Sequence, residues 1–427
     1  MKNFKKITLK NGLRILLVPQ PENLAATVLI LVEAGSEYET KKINGVSHFL
    51  EHMMFKGTAQ RPKPGVIAHE LAALGAQSNA FTGQEYTGYY AKVRAEKLSD
   101  ILDIVSDLYL NPLFDHAEID KERGVIIQEI NMYEDDLPAK AQQVLDALTY
   151  GDQPAGWDVG GDKKNIMRFS REDFMHYRAQ RYVMPGTVVV VAGKFHEKNT
   201  LAHIKKYFGH LPRRRVIGKK KTVEKQSTPR IRVHFKKTDQ AHLAIAFRAF
   251  AMFDPRRYAL RVLADVLGGG MSSRLFMRVR EEMGAAYYVG AGADLSADHG
   301  SLGISAGVDH AKTDAVLGAI FDECQRLCNE LVPAVELQKS KDHILGGLIL
   351  GLETSDDLAS FYGGQEIFGR EILSPEAYAD RIKKVTAEEV RKVARAVLQN
   401  KGLNFAVVGP YKNAARFKKI VKLPVVK

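Results

Sequence analysis

The sequence predicts an α+β protein built from two copies of one domain. Three observations carry that reading. The chain has 427 residues, too many for a single ordinary core. Strand-like and helix-like patterns are interleaved in both halves rather than segregated. The two halves also end alike. Ser170 and Asp173 open a helical pattern that reaches Gly186 and leads into an apolar strand closed by Gly193, while Thr386 and Glu389 open one that reaches Gly402 and leads into a strand closed by Gly409. The landmarks share one offset, since 386−170, 402−186 and 409−193 each give 216. A capping box alone is common, but the same element order at a constant offset argues for duplication.

The elements follow in order. Asn11-Gly12 lies between apolar stretches at 7–9 and 13–18, a hairpin signal, and a third strand is expected at 26–32. Helical periodicity covers 96–110 and 118–133. In the second half, strands are expected at 231–235, 242–247, 285–291 and, after the turn Asp298-His299-Gly300, at 302–307. Residues 213–229 are basic, follow Pro212, end in Pro229, and hold few apolar side chains, so they read as a solvated linker. The domains are therefore expected at 1–212 and 230–427, with 213–229 joining them.

Composition narrows the function classes. With 45% hydrophobic and 26% charged residues the chain is globular, and no apolar run approaches the roughly 18 residues of a membrane span. The N-terminal stretch alternates like a strand and has no apolar signal core, so a cytoplasmic protein, or a mature form already trimmed, is expected. Cys324 and Cys328 lie four apart in a helical pattern without nearby metal-ligand partners, and read as reduced thiols. The net charge of +12 raises nucleic-acid binding, yet the basic residues form no aromatic-interleaved patch, and neither a nucleic-acid nor a membrane partner is expected. Gly268-Gly269-Gly270 is not followed by Gly-Lys-Ser/Thr, which argues against a phosphate loop.

The chemistry lies in Gly45-Val46-Ser47-His48-Phe49-Leu50-Glu51-His52. Histidines four apart stack on one helical face and can converge on one ion. Glu51 reaches the rim of that face, where it can act as general base on a water activated by the metal. Imidazole and carboxylate suit zinc, and the order is that of the inverted zincin motif HxxEH. A chance match is expected in about one chain in forty. The flanks Val46, Phe49, Leu50, Met53 and Met54 are strongly apolar, so the helix is expected to be buried. Burying unpartnered polar groups there would cost about 1–3 kcal/mol each, and a metal would satisfy them. A third ligand is required. Glu118, Glu122, Glu129, Glu134, Asp135 and Asp136 lie on the next helical stretch; Glu122 and Glu129, two turns apart, share a face with Val125 and Ile126, and spacing alone does not choose between them.

These residues resemble the insulinase/pitrilysin family of zinc peptidases. In that family HxxEH is followed some 75 to 80 residues later by a glutamate ligand with another glutamate seven residues before it. Glu129 follows His52 by 77 residues and Glu122 precedes Glu129 by seven. The resemblance therefore implies Glu129 as third ligand and Glu122 as an outer acid that orients the site. Phe55-Lys56-Gly57-Thr58, Ser78-Asn79-Ala80-Phe81-Thr82, the run at 267–276 and the Arg280/Tyr287 pair match as well, so the likeness covers nearly the whole chain.

The family fold implies two homologous α+β domains, each a mainly antiparallel sheet covered by helices, together forming half of a clamshell chamber. A chain of this length supplies one half, which implies a homodimer or, alternatively, a heterodimer with a related subunit. The implied activity is that of a zinc endopeptidase, one zinc per chain, acting on small or unfolded peptides. Substrate would add as a strand beside Asn79, Ala80 and Phe81, and Tyr287 and Arg280 would assist from the second domain of the other chain.

Overall fold

In the computed structural model the described residues are 4–423. They form two compact units. The first comprises residues up to Ile130, Trp157–Lys220 and Ile349–Pro375; the second comprises Asn131–Gly156, Lys221–Leu348 and the residues from Glu376 onward.

The first unit holds a six-stranded sheet of β1 (Lys5–Thr8), β2 (Arg14–Pro19), β3 (Ala25–Val32), β4 (Gln77–Thr82), β5 (Thr87–Arg94) and β6 (Thr187–Gly193), in the order β1-β2-β6-β3-β5-β4. The β2–β6 pair is parallel and the rest are antiparallel. The expected first hairpin forms, with Gly12 at φ +91, a conformation that glycine adopts without strain. The second unit holds β7 (Arg230–Phe235), β8 (Gln240–Arg248), β9 (Ala286–Leu295), β10 (Gly300–Asp309) and β11 (Leu403–Gly409), in the order β7-β11-β8-β10-β9. Here too the β7–β11 pair is parallel and its neighbours are antiparallel. The strands β2, β6, β3, β5 and β4 of the first sheet thus correspond in position and direction to β7, β11, β8, β10 and β9. Both anticipated capping boxes are present, Ser170 with Asp173 and Thr386 with Glu389. The fold is the expected α+β class, with two sheets of one topology.

Alternation along the strands explains the layers. In the first sheet Ile15, Leu17, Val28, Ile30, Val189 and Val191 join the core that contains Phe49, Leu50, Ile101 and Phe174. Their neighbours Leu16, Leu29, Leu31, Val188 and Val190 face the other way and pack against Ala359 and Tyr362 of the helix Ser355–Glu366. This helix comes from the second half of the sequence. It is pinned by Thr27 and Ser355, whose hydroxyls lie 2.8 Å apart, and by the buried Glu366 carboxylate, 2.8 Å from Lys6 Nζ and 3.3 Å from Arg14 Nη1. In the second sheet Leu243, Ile245, Phe405 and Val407 enter the larger core. Ala244, Ala246, Ala406 and Val408 form a shallow face for Ala141 and Leu145, which belong to a helix from the first half of the sequence. The compact units are therefore not the two contiguous halves of the chain. Strands apolar on both faces need cover on both, and each sheet takes one covering helix from across the linker.

Most side chains of 213–229 are exposed. Several are half-buried, among them Lys219, whose ammonium pairs with the buried carboxylates of Glu37 and, at 2.7 Å, Glu85, and Thr222 and Gln226, which bond to Asp298 and to the Leu403 carbonyl. Cys324 and Cys328 are both free and buried. Among the described residues no helix is long and apolar enough to cross a membrane.

Candidate metal centre

The first five helices are α1 (Val46–Met54), α2 (Val66–Ala73), α3 (Leu98–Leu110), α4 (His116–Asp135) and α5 (Leu137–Tyr150), and the side chains that converge at the site come from α1 and α4. Val46, Phe49, Leu50, Met53 and Met54 anchor α1 in the core, which turns His48, Glu51 and His52 to the opposite side. The helix begins at Gly45, whose φ of +99 and close approach to the Gly161 backbone leave no room for a side chain. Gly45 supplies no cap. The buried carboxylate of Glu39 does so instead, accepting from the N–H groups of Gly45 and Ser47 at 2.8 Å each and from the Asn44 amide at 3.1 Å. Burial lifts the Glu39 carboxyl to about 7, against the opposing pull of these donors.

One turn apart, the Nε2 atoms of His48 and His52 are separated by 3.3 Å. Glu129 Oε2 lies 3.5 Å from each of them. A tetrahedral zinc held at 2.0–2.1 Å by three such ligands spaces them about 3.3 Å apart, so the donor set and its dimensions both fit zinc. On the far side of His52, Nδ1 lies 2.9 Å from Glu122 Oε1, and Glu122 Oε2 is 2.6 Å from Lys56 Nζ. Other acids at 118–136 are engaged elsewhere. Glu118 pairs with Lys121, Asp135 with Lys236, and Asp136 caps α5 by accepting from the Ala139 N–H.

The electrostatics follow from crowding. Burial and the neighbouring His52 charge push His48 down to about 4. Burial would lower His52 too, but its bonds to Glu122 and Glu129 outweigh it and raise the imidazole to about 9. The pair thus shares one proton, as two like charges at this distance must. The hydrogen bond to His52 holds Glu129 below its usual range, and bonds to His52 and Lys56 do the same for Glu122 against its burial. Glu51 moves the other way, raised by burial and partly restrained by a hydrogen bond from the Thr82 hydroxyl.

Asn79, Ala80 and Phe81 lie on β4, the outermost strand of its sheet, beside α1. Only β5 pairs with β4, so its other backbone edge has no strand partner among the described residues. In the second unit Arg280 Nη1 donates to the Tyr287 carbonyl at 2.9 Å, and its guanidinium lies 5.1 Å from the Phe276 ring centre. The Tyr287 side chain is largely exposed on β9. Sequence reasoning passed over Glu39, Lys56 and the hydroxyl of Thr82. Glu39 left only a faint signal, an acid shortly before a glycine that opens an apolar helix.

Comparison with known proteins points to one family. Residues 14–163 match the family model described as insulinase (peptidase family M16), and residues 168–344 match that of the peptidase M16 inactive domain. A protein of Bacillus subtilis (strain 168), named "uncharacterized zinc protease YmxG", is 34% identical over 393 residues, 92% of this chain and 95% of its own. An "uncharacterized zinc protease" of Rickettsia bellii (strain RML369-C) is 30% identical over 421 residues, 96% of this chain and 98% of its own. The solved structure of a protease from Helicobacter pylori superposes with a TM-score of 0.88 at 21% identity, covering 95% of this chain and 99% of that one. A peptidase M16 inactive domain from Pseudomonas fluorescens superposes with a TM-score of 0.89 at 18% identity, covering 96% and 99%.

Proposed function

Because the chain belongs to the insulinase family, peptidase family M16, and is a zinc metallopeptidase, we propose that it is an endopeptidase that cleaves small or unfolded peptides with Glu51 as general base. The observation that carries this reading is the mutual spacing of 3.3–3.5 Å among His48 Nε2, His52 Nε2 and Glu129 Oε2, with Glu51 on the same helical face. These three side chains hold the zinc, one ion per chain. When bound, the zinc supplies Lewis acidity to the scissile carbonyl and to the attacking water.

The chain's own groups do the rest. Glu122, itself held by Lys56, fixes the ring of His52 and keeps its Nε2 turned toward Glu129. The substrate backbone adds along the open edge of β4 beside Asn79, Ala80 and Phe81, through main-chain bonds that read little side-chain identity. Glu51 takes a proton from the attacking water and delivers it to the departing amine nitrogen, and its raised pKa suits both transfers. Tyr287 donates to the oxygen that gains charge, and Arg280 anchors a substrate carbonyl. Residues 1–427 carry one zinc domain and one Arg/Tyr domain, and a closed chamber that pairs two such units takes two chains. A homodimer is proposed, and a heterodimer with a related subunit is the alternative. The two free thiols favour a reducing, cytoplasmic location.

The test is cleavage of an unstructured peptide by the purified protein, with and without chelator, alongside a Glu51→Gln variant. Activity should vanish with chelator and return with zinc, and Glu51→Gln should keep its zinc while losing nearly all turnover. Cleavage by Glu51→Gln at the wild-type rate would remove Glu51 from the reaction.

A further inference from the structure

The proposed base has a hydrogen-bond partner that the resemblance did not assign. Thr82 Oγ1 donates to Oε2 of Glu51, and no other described side chain shares that carboxylate. Thr82 is the last residue of β4, the strand on which substrate is proposed to dock. Its position is rigidly set. Thr82 pairs with Thr87, Phe81 lies over Gly88 where a Cβ would collide with its ring, and Gly83 N–H donates to the Tyr86 carbonyl at 2.9 Å to close the turn. The turn is tied in its own right to the loop before α1: the N–H groups of Ser36 and Glu37 donate to the carbonyls of Gly83 and Gln84 at 3.3 and 2.8 Å. A β-branched side chain on such a backbone has little rotamer freedom, so the hydroxyl is aimed rather than adaptable.

We propose that Thr82 is a positioning residue for the general base, holding Oε2 of Glu51 so that Oε1 carries the proton, and coupling the base to the strand that receives the substrate. The inference rests on the reading of Glu51 as base. A carboxylate has two oxygens and can rotate, so either could face the water. A hydroxyl donating to Oε2 occupies that oxygen throughout the cycle. The water O–H bond breaks as its proton passes to Oε1 and its oxygen bonds to the scissile carbon. The C–N bond then breaks as the same proton passes from Oε1 to the amine nitrogen. Oε2 remains an acceptor in both protonation states, so the Thr82 bond need not break at either transfer. Without it the carboxylate would sample orientations in which neither oxygen faces the water.

The test compares Thr82→Val, which removes the hydroxyl at nearly constant shape, with Thr82→Ser, which keeps it, and with Glu51→Gln, all as zinc-loaded full-length protein. Bound zinc, kcat and KM on one unstructured peptide are measured. Thr82→Val should keep its zinc and a KM within about twofold of wild type while kcat falls about tenfold or more, toward the roughly hundredfold that an ångström of misplacement can cost. Thr82→Ser should recover most of that kcat. Should Thr82→Val not fold, Thr82→Ala provides the same comparison with Ser. A wild-type kcat in Thr82→Val, a loss confined to KM, or a Ser variant no better than Val would each overturn the assignment. If Glu51→Gln is inactive while Thr82→Val is normal, Thr82 alone is discarded; if Glu51→Gln is active, the base assignment itself fails.

Discussion

Nδ1 of His52 lies 2.9 Å from Oε1 of Glu122, so the other ring nitrogen is turned toward His48 and Glu129. This contact determines which nitrogen is available to a metal. Glu122→Gln should fold normally and lower zinc affinity by about 10- to 100-fold, the usual cost of losing an outer carboxylate partner. Competition with a chelator of known affinity measures it. Lys56→Met should shift affinity in the same direction by less, because Lys56 acts on Glu122 and not on the ring.

Metal uptake should release a proton. In the metal-free chain His52 holds its proton up to about pH 9, while His48, near 4, and the ionised Glu129 have none to give at neutral pH. A raised imidazole pKa means that proton and zinc compete below it. Affinity should therefore climb by about tenfold per pH unit from pH 7 and level off above about 9. Calorimetry in buffers of different ionisation heat should count about one proton per zinc at pH 7.5. A release near zero would show that His52 is already neutral before the metal binds.

Glu39 should matter to folding before it matters to catalysis. Its carboxylate is 3% exposed and satisfies two backbone N–H groups at the start of α1. Glu39→Ala strands those donors in the interior and should cost about 1–3 kcal/mol of stability, read by denaturant unfolding of the metal-free protein. A change within about 0.5 kcal/mol, the range of an ordinary surface substitution, would mean that water or another group caps the helix equally well.

The two-chain reading predicts complementation. Glu51→Gln and Tyr287→Phe, each weak alone, should regain activity when mixed and allowed to exchange subunits. At random exchange half of the dimers are mixed and each has one intact site, so roughly a quarter of wild-type activity should return if the two sites act independently. No recovery, in a sample shown by mass to contain mixed dimers, would place Tyr287 and Glu51 of one chain in the same site or remove Tyr287 from the chemistry.

Much of this was legible in the sequence because it is local. Helical spacing puts His48 and His52 on one face, glycine punctuation and apolar alternation mark the strands, and the 216-residue offset between landmarks reveals the repeat of one topology. These depend on backbone geometry and neighbours within a turn or two, which the order of residues alone sets. Tertiary structure decided what depends on distance across the fold. It brought Glu129 Oε2 to 3.5 Å from both imidazoles and Glu122 to Nδ1 of His52, a choice between two acids that spacing along one helix left open. It set Thr82 on Glu51 and Glu39 under α1, contacts between segments with no periodic relation. It also drew the helix Ser355–Glu366 onto the first sheet and α5 onto the second, across the linker that divides the sequence. Hydrophobic burial has no direction along the chain, so a sheet apolar on both faces is covered by whichever apolar helix can reach it.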